Sequence, residues 1–238
     1  MKVVSYRRHN DMDVEFLDDY HFIKKHVTYS NFKRGEIKNP YDKCLYGVGA
    51  IGSGKYKVKV TTNGEYTQEY TAWVNMIKRC YYQKENAKNN AYLDKCSVCD
   101  EWLNFQNFAQ WFENHKYVVN ERLHVDKDIK NPCCKVYSPD TCILVPQKIN
   151  MLFLNKPNKR DLPNGIIKCI NGYQAKYGGE FIGIYTTIEE AYYYQTQKKK
   201  QEIIKIANEY KNIIPNEVYD IIVNYEFLIE NDKNFKAA

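Results

Sequence analysis

The 238-residue sequence lacks the long apolar runs that two classes of protein require. It has no window of about 18 consecutive apolar residues, which argues against a membrane-spanning helix. Its opening segment, MKVVSYRRHN, has no apolar stretch of the kind found in secretory signals. We therefore expect a cytoplasmic protein with no membrane partner, whose eight cysteines are free thiols or metal ligands rather than disulfides.

The sequence also lacks a nucleotide-binding P-loop, although glycines punctuate residues 47–54. The lysine after this run, Lys55, is followed by Tyr56 and an alternating segment, and not by a Ser or Thr that opens a helix. The alternation predicts a strand over 55–60, in which Lys55 and Lys57 share one face. That face either follows DNA phosphates or is a solvated strand face.

Tyrosine and positive charge are what the sequence has in quantity. It contains 22 tyrosines, and its formal net charge is +6. Positive charge favours an anionic partner, and tyrosine rings can stack on bases and contact phosphates. Coding bias from an AT-rich genome is the alternative explanation for the tyrosines.

Two segments have the apolar spacing of amphipathic helices. They are residues 69–83 and residues 100–115, and the second carries a wide aromatic stripe that Asp100 would cap. Lys78 and Arg79 lie beside the apolar stripe of the first segment and are candidate DNA contacts. A structural role is the alternative for Arg79.

A strand, a loop, a second strand and a short helix are indicated over residues 123–150, LHVDKDIKNPCCKVYSPDTCILVPQKIN. This order resembles the HNH, or ββα-metal, nucleases. Their first strand ends in Asp-His, their loop holds a turn similar to SPENL, and their helix supplies an Asn or His. The corresponding positions here are Asp126, Lys127, residues 138–142 and Asn150.

The resemblance implies hydrolysis of a phosphodiester bond with one divalent cation, Mg²⁺ or Mn²⁺. In the family the Asp and the helix residue hold the cation, so Asp126 and Asn150 are the expected ligands, and both offer the oxygen donors that a hard cation prefers. Lys127 stands at the position of the catalytic base, although lysine is a poor base unless it is strongly desolvated. Thr141 stands where the family has the Asn that orients its histidine.

Strand geometry suggests a second assignment of the base. His124 lies two residues before Asp126, so both side chains point to the same face of a strand, as does Asp128, whereas Lys127 points away. His124 with Asp126 and Asp128 would form an alternative cluster of base and metal ligands. The other alternative is a surface histidine beside two solvated acids.

Cysteines on both sides of the second predicted helix are candidates for a structural zinc site. They are Cys96, Cys99, Cys133, Cys134 and Cys142. The first two form a CxxC pair, but the adjacent pair at 133–134 is not a second CxxC. Free thiols that pack in apolar surroundings are the alternative.

A second resemblance follows a polar linker at 156–163. Three strands and a long helix are indicated at Gly165–Cys169, Tyr173–Tyr177, Phe181–Tyr185 and from Ile188 to about Ile214, capped by Thr186 or Thr187. The segments GYQA and FIGIYTTIEEA resemble the AP2 DNA-binding domain, whose sheet enters the major groove. Five side chains of the sheet are the candidates to contact double-stranded DNA: Lys168, Tyr173, Gln174, Lys176 and Tyr177.

These features predict an α+β protein in four parts. A small N-terminal β module occupies 1–40, an HNH-like ββα module with its preceding helices occupies 41–155, and the linker at 156–163 leads to an AP2-like sheet with helices at 164–238. The expected function is that of a phage or mobile-element DNA endonuclease. The alternatives are a catalytically inactive DNA-binding protein on the same scaffold, such as a regulator or anti-defence factor, and a protein-interaction module.

Overall fold

The computed structural model describes residues 1–82 and 96–235. Within them the chain is a mixed α and β protein, compatible with the expected class, with small sheets and six α-helices. Its strands are β1 (Lys2–Arg8), β2 (Asp11–Glu15), β3 (Ile23–Val27), β4 (Ser97–Val98), β5 (Leu123–Asp126), β6 (Val136–Tyr137), β7 (Ile143–Pro146), β8 (Ile166–Cys169), β9 (Gly172–Tyr177) and β10 (Glu180–Tyr185). Its α-helices are α1 (Tyr29–Arg34), α2 (Gln68–Tyr81), α3 (Phe105–His115), α4 (Gln147–Leu152), α5 (Ile188–Glu209) and α6 (Asn216–Val223).

The chain divides into two compact units, Met1–Gln110 and Trp111–Ala238. None of the helices in the described parts of the chain combines the length and the apolar character needed to span a bilayer. The helix expected over 69–83 is formed by α2, and its last expected residue, Gln83, lies outside the described residues.

The N-terminal sheet of the first unit has the order β1-β2-β3, and neighbouring strands run antiparallel. Burial alternates along β2 because one of its faces packs on a small core. Met12 and Val14 are fully buried there, and Phe16, Val27 and Ile37 complete the core. The opposite face of β2 is left to polar side chains.

Large aromatic side chains form a second core in the first unit. Trp73 of α2 and Trp102 are fully buried, and the indole N–H of Trp73 donates to the carbonyl oxygen of Trp102 at 2.7 Å. The prediction of one continuous helix over 100–115 is wrong, because a separate 3-10 turn at Asp100–Leu103 precedes α3. Asn104 interrupts the helix with an extended backbone, and its side-chain oxygen accepts the N–H two residues later.

The strand expected over 55–60 is not formed. Gln106 holds this segment instead, because its Oε1 accepts the N–H of Tyr56 and its Nε2 donates to the Tyr56 carbonyl oxygen, both at 3.0 Å. One buried amide side chain thus occupies the backbone groups that a strand partner would use. Lys55 and Lys57 are exposed in an irregular segment and do not share a strand face.

In the second unit, β5 and β7 pair antiparallel, and α4 begins directly after β7. α5 takes part in two cores. Near its start, Ala191 packs on the three-stranded sheet β10-β9-β8. Near its end, Ile203 and Ile206 join the core of β7 and α4, which α6 completes. The helix ends at Glu209, earlier than the expected Ile214.

Thr187, and not Thr186, caps α5, because its Oγ1 accepts the N–H of Glu190 at 3.2 Å. We expect Thr187→Ala to lower the free energy of unfolding by about 1 kcal/mol, since this N–H loses its partner. Thr186→Ala removes a hydroxyl outside the cap and should change that free energy by less than about 0.5 kcal/mol. Urea denaturation followed by circular dichroism measures both variants, and equal losses would contradict the assignment.

Candidate functional site

The antiparallel pairing of β5 with β7 decides which side chains can act together. His124 lies opposite Val145 and Asp126 lies opposite Ile143, and directly opposed residues point to the same face of a sheet. Val145 and Ile143 belong to the buried core that also contains Ile149 of α4. α4 therefore covers the hairpin face that carries His124 and Asp126.

Lys127 follows β5 on the opposite face, and its side chain is anchored in the loop. Its Nζ lies 2.6 Å from Asp128 Oδ1, donates to the carbonyl oxygen of Cys134, and lies 5.5 Å from the ring centroid of Tyr137. Its side chain is only 9% exposed. An ion pair of this kind favours the charged form of the lysine. The structure thus places Lys127 away from the face that α4 covers and uses it to organise the loop.

The three predicted metal ligands differ in how they are engaged. Asp128 is shared between Lys127 and Lys233, whose Nζ lies 3.5 Å from Asp128 Oδ2, so a metal ion would compete with two ammonium groups. Asp126 Oδ1 accepts the N–H of Ile129 at 2.8 Å, and this bond orients the carboxylate. Asp126 is thus held by the backbone of the loop that follows β5.

Asn150 is partly buried on α4, directly after the core residue Ile149. Within residues 1–82 and 96–235, its side-chain amide makes no hydrogen bond. Its amide oxygen and the Asp126 carboxylate are hard donors, and Mg²⁺ is commonly bound by few protein ligands with water and phosphate completing its shell. The donor chemistry of Asp126 and Asn150 fits Mg²⁺ or Mn²⁺, and His124 lies on the same hairpin face as Asp126.

Thr141 stabilises the turn at 138–142. Its hydroxyl donates to the carbonyl oxygen of Val136 at 2.7 Å, and the same oxygen accepts the N–H of Ser138 at 3.0 Å. A short polar side chain that bonds to nearby backbone groups is a common way to fix a turn. Thr141 is therefore engaged within its own turn.

The cysteines of the second unit have separate surroundings. Cys133 Sγ donates to Asn231 Oδ1 at 3.2 Å, and Cys134 Sγ donates to the carbonyl oxygen of Val136 at 3.4 Å. Cys142 is buried, and this burial raises the pKa of its thiol to about 12. Zinc binds the thiolate form, so the surroundings of Cys142 favour a packing role.

Two cysteines of the first unit lie side by side. The Sγ atoms of Cys80 and Cys96 are 2.9 Å apart, longer than the roughly 2.05 Å of a disulfide bond. Burial raises the pKa of the nearby Cys99 thiol. Cys80, which the zinc prediction omitted, is thus the partner of Cys96.

The basic residues of α2 lie on its solvent side. Trp73 and Ile77 face the core, whereas Lys78 and Arg79 are exposed. The Lys78 ammonium lies 5.3 Å from the ring centroid of Tyr82. Both basic side chains are therefore accessible to a partner.

The C-terminal sheet divides the predicted DNA contacts between its two faces. Tyr173 packs against the core around Ala175, and burial and the nearby Glu202 of α5 raise the pKa of Tyr177. Both tyrosines therefore lie on the helix side, in phase with Ala175. Lys176 alternates to the outer face, where it lies opposite the exposed Phe181.

The outer face of this sheet also carries Gln174, which was expected to contact DNA, and two isoleucines that the prediction missed. Ile167, Gln174 and Ile184 lie opposite one another across the three strands, and the two isoleucines are exposed. Lys168 is exposed but belongs to the alternate set, opposite Tyr173. The signal available in the sequence was the small Ala175, whose phase marks the side that packs on a helix.

A cluster in the first unit was also missed. Arg7 donates to Asp11 Oδ1 at 2.7 Å and to Asp13 Oδ2 at 3.0 Å, and His26 Nδ1 lies 2.9 Å from Asp11 Oδ1. The two acids and the histidine place ligand atoms within 4.8 Å of one another, as a metal site would. The Arg7 guanidinium already neutralises both carboxylates, so a metal ion would have to displace it.

No family model matches the chain, and no match was found among curated proteins or among solved structures. Function is therefore inferred from the geometry of the two units.

The Arg7 cluster makes the N-terminal sheet sensitive to acid. Hydrogen bonds from Arg7 lower the pKa of Asp13 from 3.8 to about 2 and hold the pKa of Asp11 well below its usual range. A carboxyl group whose pKa is lower in the folded protein than in the unfolded chain stabilises the fold. This stabilisation is complete at pH values above the unfolded-state pKa and is lost as the pH falls towards the folded-state pKa. We expect this contribution to disappear between about pH 4 and pH 2.

Arg7→Met tests this expectation. The variant should be less stable than the unchanged protein at pH 5, and the difference should shrink as pH falls to about 2, because protonation then removes the partner charges. Arg34→Met, which breaks an exposed pair with Glu36, is the matched control. Urea midpoints by circular dichroism give the comparison, and a difference that stays constant with pH would refute it.

Proposed function

We propose that this chain is a divalent-cation-dependent endonuclease that acts on double-stranded DNA, with the ββα unit from β5 to α4 as its cutting module. One observation carries the proposal. His124 and Asp126 share the hairpin face that α4 covers, and α4 carries Asn150. In this proposal a base, a carboxylate and an amide oxygen are the reacting and metal-binding groups of one small module.

Each residue has a role in the proposed reaction. His124 takes a proton from the attacking water, and Asp126 and Asn150 hold the cation. Bound Mg²⁺ or Mn²⁺ would neutralise the charge that builds up on the phosphate and the leaving oxygen. The N–H of Ile129 keeps Asp126 oriented. Lys127 takes no part in proton transfer and holds the loop through its ion pair.

DNA binding in this proposal is shared with the C-terminal sheet. Its sequence resembles the AP2 domain, and a net charge of +6 favours a polyanion. The outer face supplies Lys176 and Gln174 for contacts to phosphates and bases, whereas Lys168 is exposed on the other face, opposite Tyr173. The same resemblance supports an origin in a phage or mobile element and action in the host cytoplasm.

A DNA-binding protein without nuclease activity is the second candidate. The observation in its favour is Lys127, which occupies the position of the catalytic base in the resembling nucleases and is buried in an ion pair. If His124 does not act as the base in its place, the protein keeps the net positive charge and the C-terminal sheet that bind DNA. It then has no group to accept the proton of the attacking water. Such a protein would hold DNA as a regulator or anti-defence factor.

Plasmid cleavage separates the two candidates. We expect nicking or cutting of supercoiled DNA with Mg²⁺ or Mn²⁺, and a loss of at least about 100-fold in rate in His124→Ala and Asn150→Ala with binding preserved. His115→Ala and Asn120→Ala are matched controls in the same unit and should cut normally. Cleavage that survives both site variants would exclude the assigned roles, and absence of cleavage by the unchanged protein would favour the second candidate.

Salt dependence tests the role of the sheet. Binding to duplex DNA should weaken steeply as salt rises, because each neutralised phosphate releases counterions. Lys176→Met should reduce the slope of log K against log salt by about one unit. Lys211→Met, which changes an exposed lysine beyond α5, should leave the slope unchanged. A shallow slope for the unchanged protein would leave a protein-interaction module as the better reading.

A further inference from the structure

A cleft of about 420 Å³ opens in the second unit, and most of its lining has no role in the proposed cleavage. Its walls come from the end of α4, from β9, from the middle of α5 and from the segment that follows α6. Pockets for small molecules have volumes of roughly 300–1,000 Å³ and a few polar groups in mostly apolar walls. The polar groups of this cleft therefore indicate what it binds.

Gln195 of α5 is the first of these groups. It lines the cleft, is 7% exposed, and its amide makes no hydrogen bond within the described parts of the chain. Gly165 faces it, and a Cβ added there would lie 3.1 Å from Gln195 Nε2, so the missing side chain leaves room for the amide. The amide is open to the cleft, and a ligand with a donor and an acceptor would bind to it.

Lys199 lies one turn further along α5, on the same helix face. It lines the cleft and its Nζ lies 4.6 Å from the ring centroid of Phe227, another lining residue. Within the described residues it makes neither an ion pair nor a hydrogen bond. Burial lowers its pKa, and the charge of Asp232 opposes this shift. An anion bound beside Lys199 would compensate for the hydration that the ammonium group loses on burial.

Aromatic rings form one wall of the cleft. The rings of Phe153, Tyr225 and Phe227 lie within 4.8–6.3 Å of one another between centroids. Two of the three pairs are edge-to-face, so the rings offer an apolar wall against which a base can pack. The lining also contains the charged residues Asp128, Lys176, Asp232 and Lys233, of which Asp128 and Lys233 form an ion pair at 3.5 Å.

We propose that this cleft is a nucleotide-binding site. Its phosphate lies at Lys199, the edge of its base is read by the amide of Gln195, and its ring stacks against the Phe227 wall. The proposal does not require nuclease activity, because neither His124 nor Asn150 lines the cleft. The nucleotide comes either from solution or from a DNA strand in which one residue is unstacked, and the chemistry recognised is the same.

Isothermal titration calorimetry on the full chain tests the site. The probes are the four 5′-deoxynucleoside monophosphates, the matching nucleosides and inorganic phosphate. We expect at least one monophosphate to bind with a Kd below about 1 mM, and its nucleoside and free phosphate to bind at least tenfold more weakly. No heat with any monophosphate would overturn the proposal, and so would phosphate binding as tightly as the nucleotides.

Variants on α5 assign the two contacts. Lys199→Met should weaken binding of the monophosphate at least tenfold and leave that of the nucleoside unchanged. Gln195→Leu should reduce the difference in affinity among the four bases. Lys205→Met and Gln201→Leu are controls at exposed positions of the same helix. Circular dichroism verifies folding, and if either variant fails to fold, the milder changes Lys199→Arg and Gln195→Met replace it. Variants that fold and bind like the unchanged protein would refute the assignment.

A competition experiment distinguishes the two sources of the nucleotide. A duplex with one bulged nucleotide is compared with a fully paired duplex of the same flanking sequence. If the bulged duplex alone displaces the monophosphate, the site takes a nucleotide from a strand. If neither duplex displaces it, the site takes the free nucleotide. Equal displacement by both duplexes would point to backbone binding and would contradict reading of a base.

Discussion

The register between β5 and β7 is the constraint on which the rest of the second unit depends. Because side chains alternate along a strand, a slip of one residue would bring Lys127 to the covered face and turn Asp126 away. The register is held by apolar burial, since Ile143 and Val145 must reach the core that contains Ile149. The polar arrangement is therefore a consequence of packing, and the chemistry of the face is only as precise as the fit of these aliphatic side chains.

The polar side chains of the second unit fall into two groups with different surroundings. Those in the hairpin loop are satisfied locally: Lys127 has Asp128, and Thr141 bonds to its own turn. Two of those in the cleft are not, since the amide of Gln195 and the ammonium of Lys199 make no hydrogen bonds within the described residues. Polar groups that are hydrogen-bonded within the protein order its backbone. Polar groups without such partners remain available to bind a ligand.

Local patterns in the sequence predicted what local forces determine. The strand expected over 123–129 is formed over its first four residues, the strand expected over 143–146 is β7, and the cap is one of the two threonines expected, Thr187. Interactions between distant residues were not predicted. Gln106 binds the backbone of Tyr56 across 50 positions and prevents a strand, and Arg7 meets its acids only because β1 and β2 pair. Tyr173 was chosen as a DNA contact by its residue type alone. That choice did not consider the alternation of side chains along β9, which places Tyr173 on the same side of the sheet as Ala175.

α5 has one further consequence for how this chain can change. On this single uninterrupted helix, Ala191 packs on the sheet, Gln195 and Lys199 line the cleft, and Ile203 packs in the hairpin core. Each inserted residue rotates everything beyond it by about 100°. Insertions and deletions in the middle of α5 are thus confined to multiples close to whole turns, such as seven residues, which leave a phase error of about 20°. The number of residues on α5 between the two cores can therefore change only by about whole helical turns. We expect related sequences to differ there by substitution, and to differ in length in the surrounding loops.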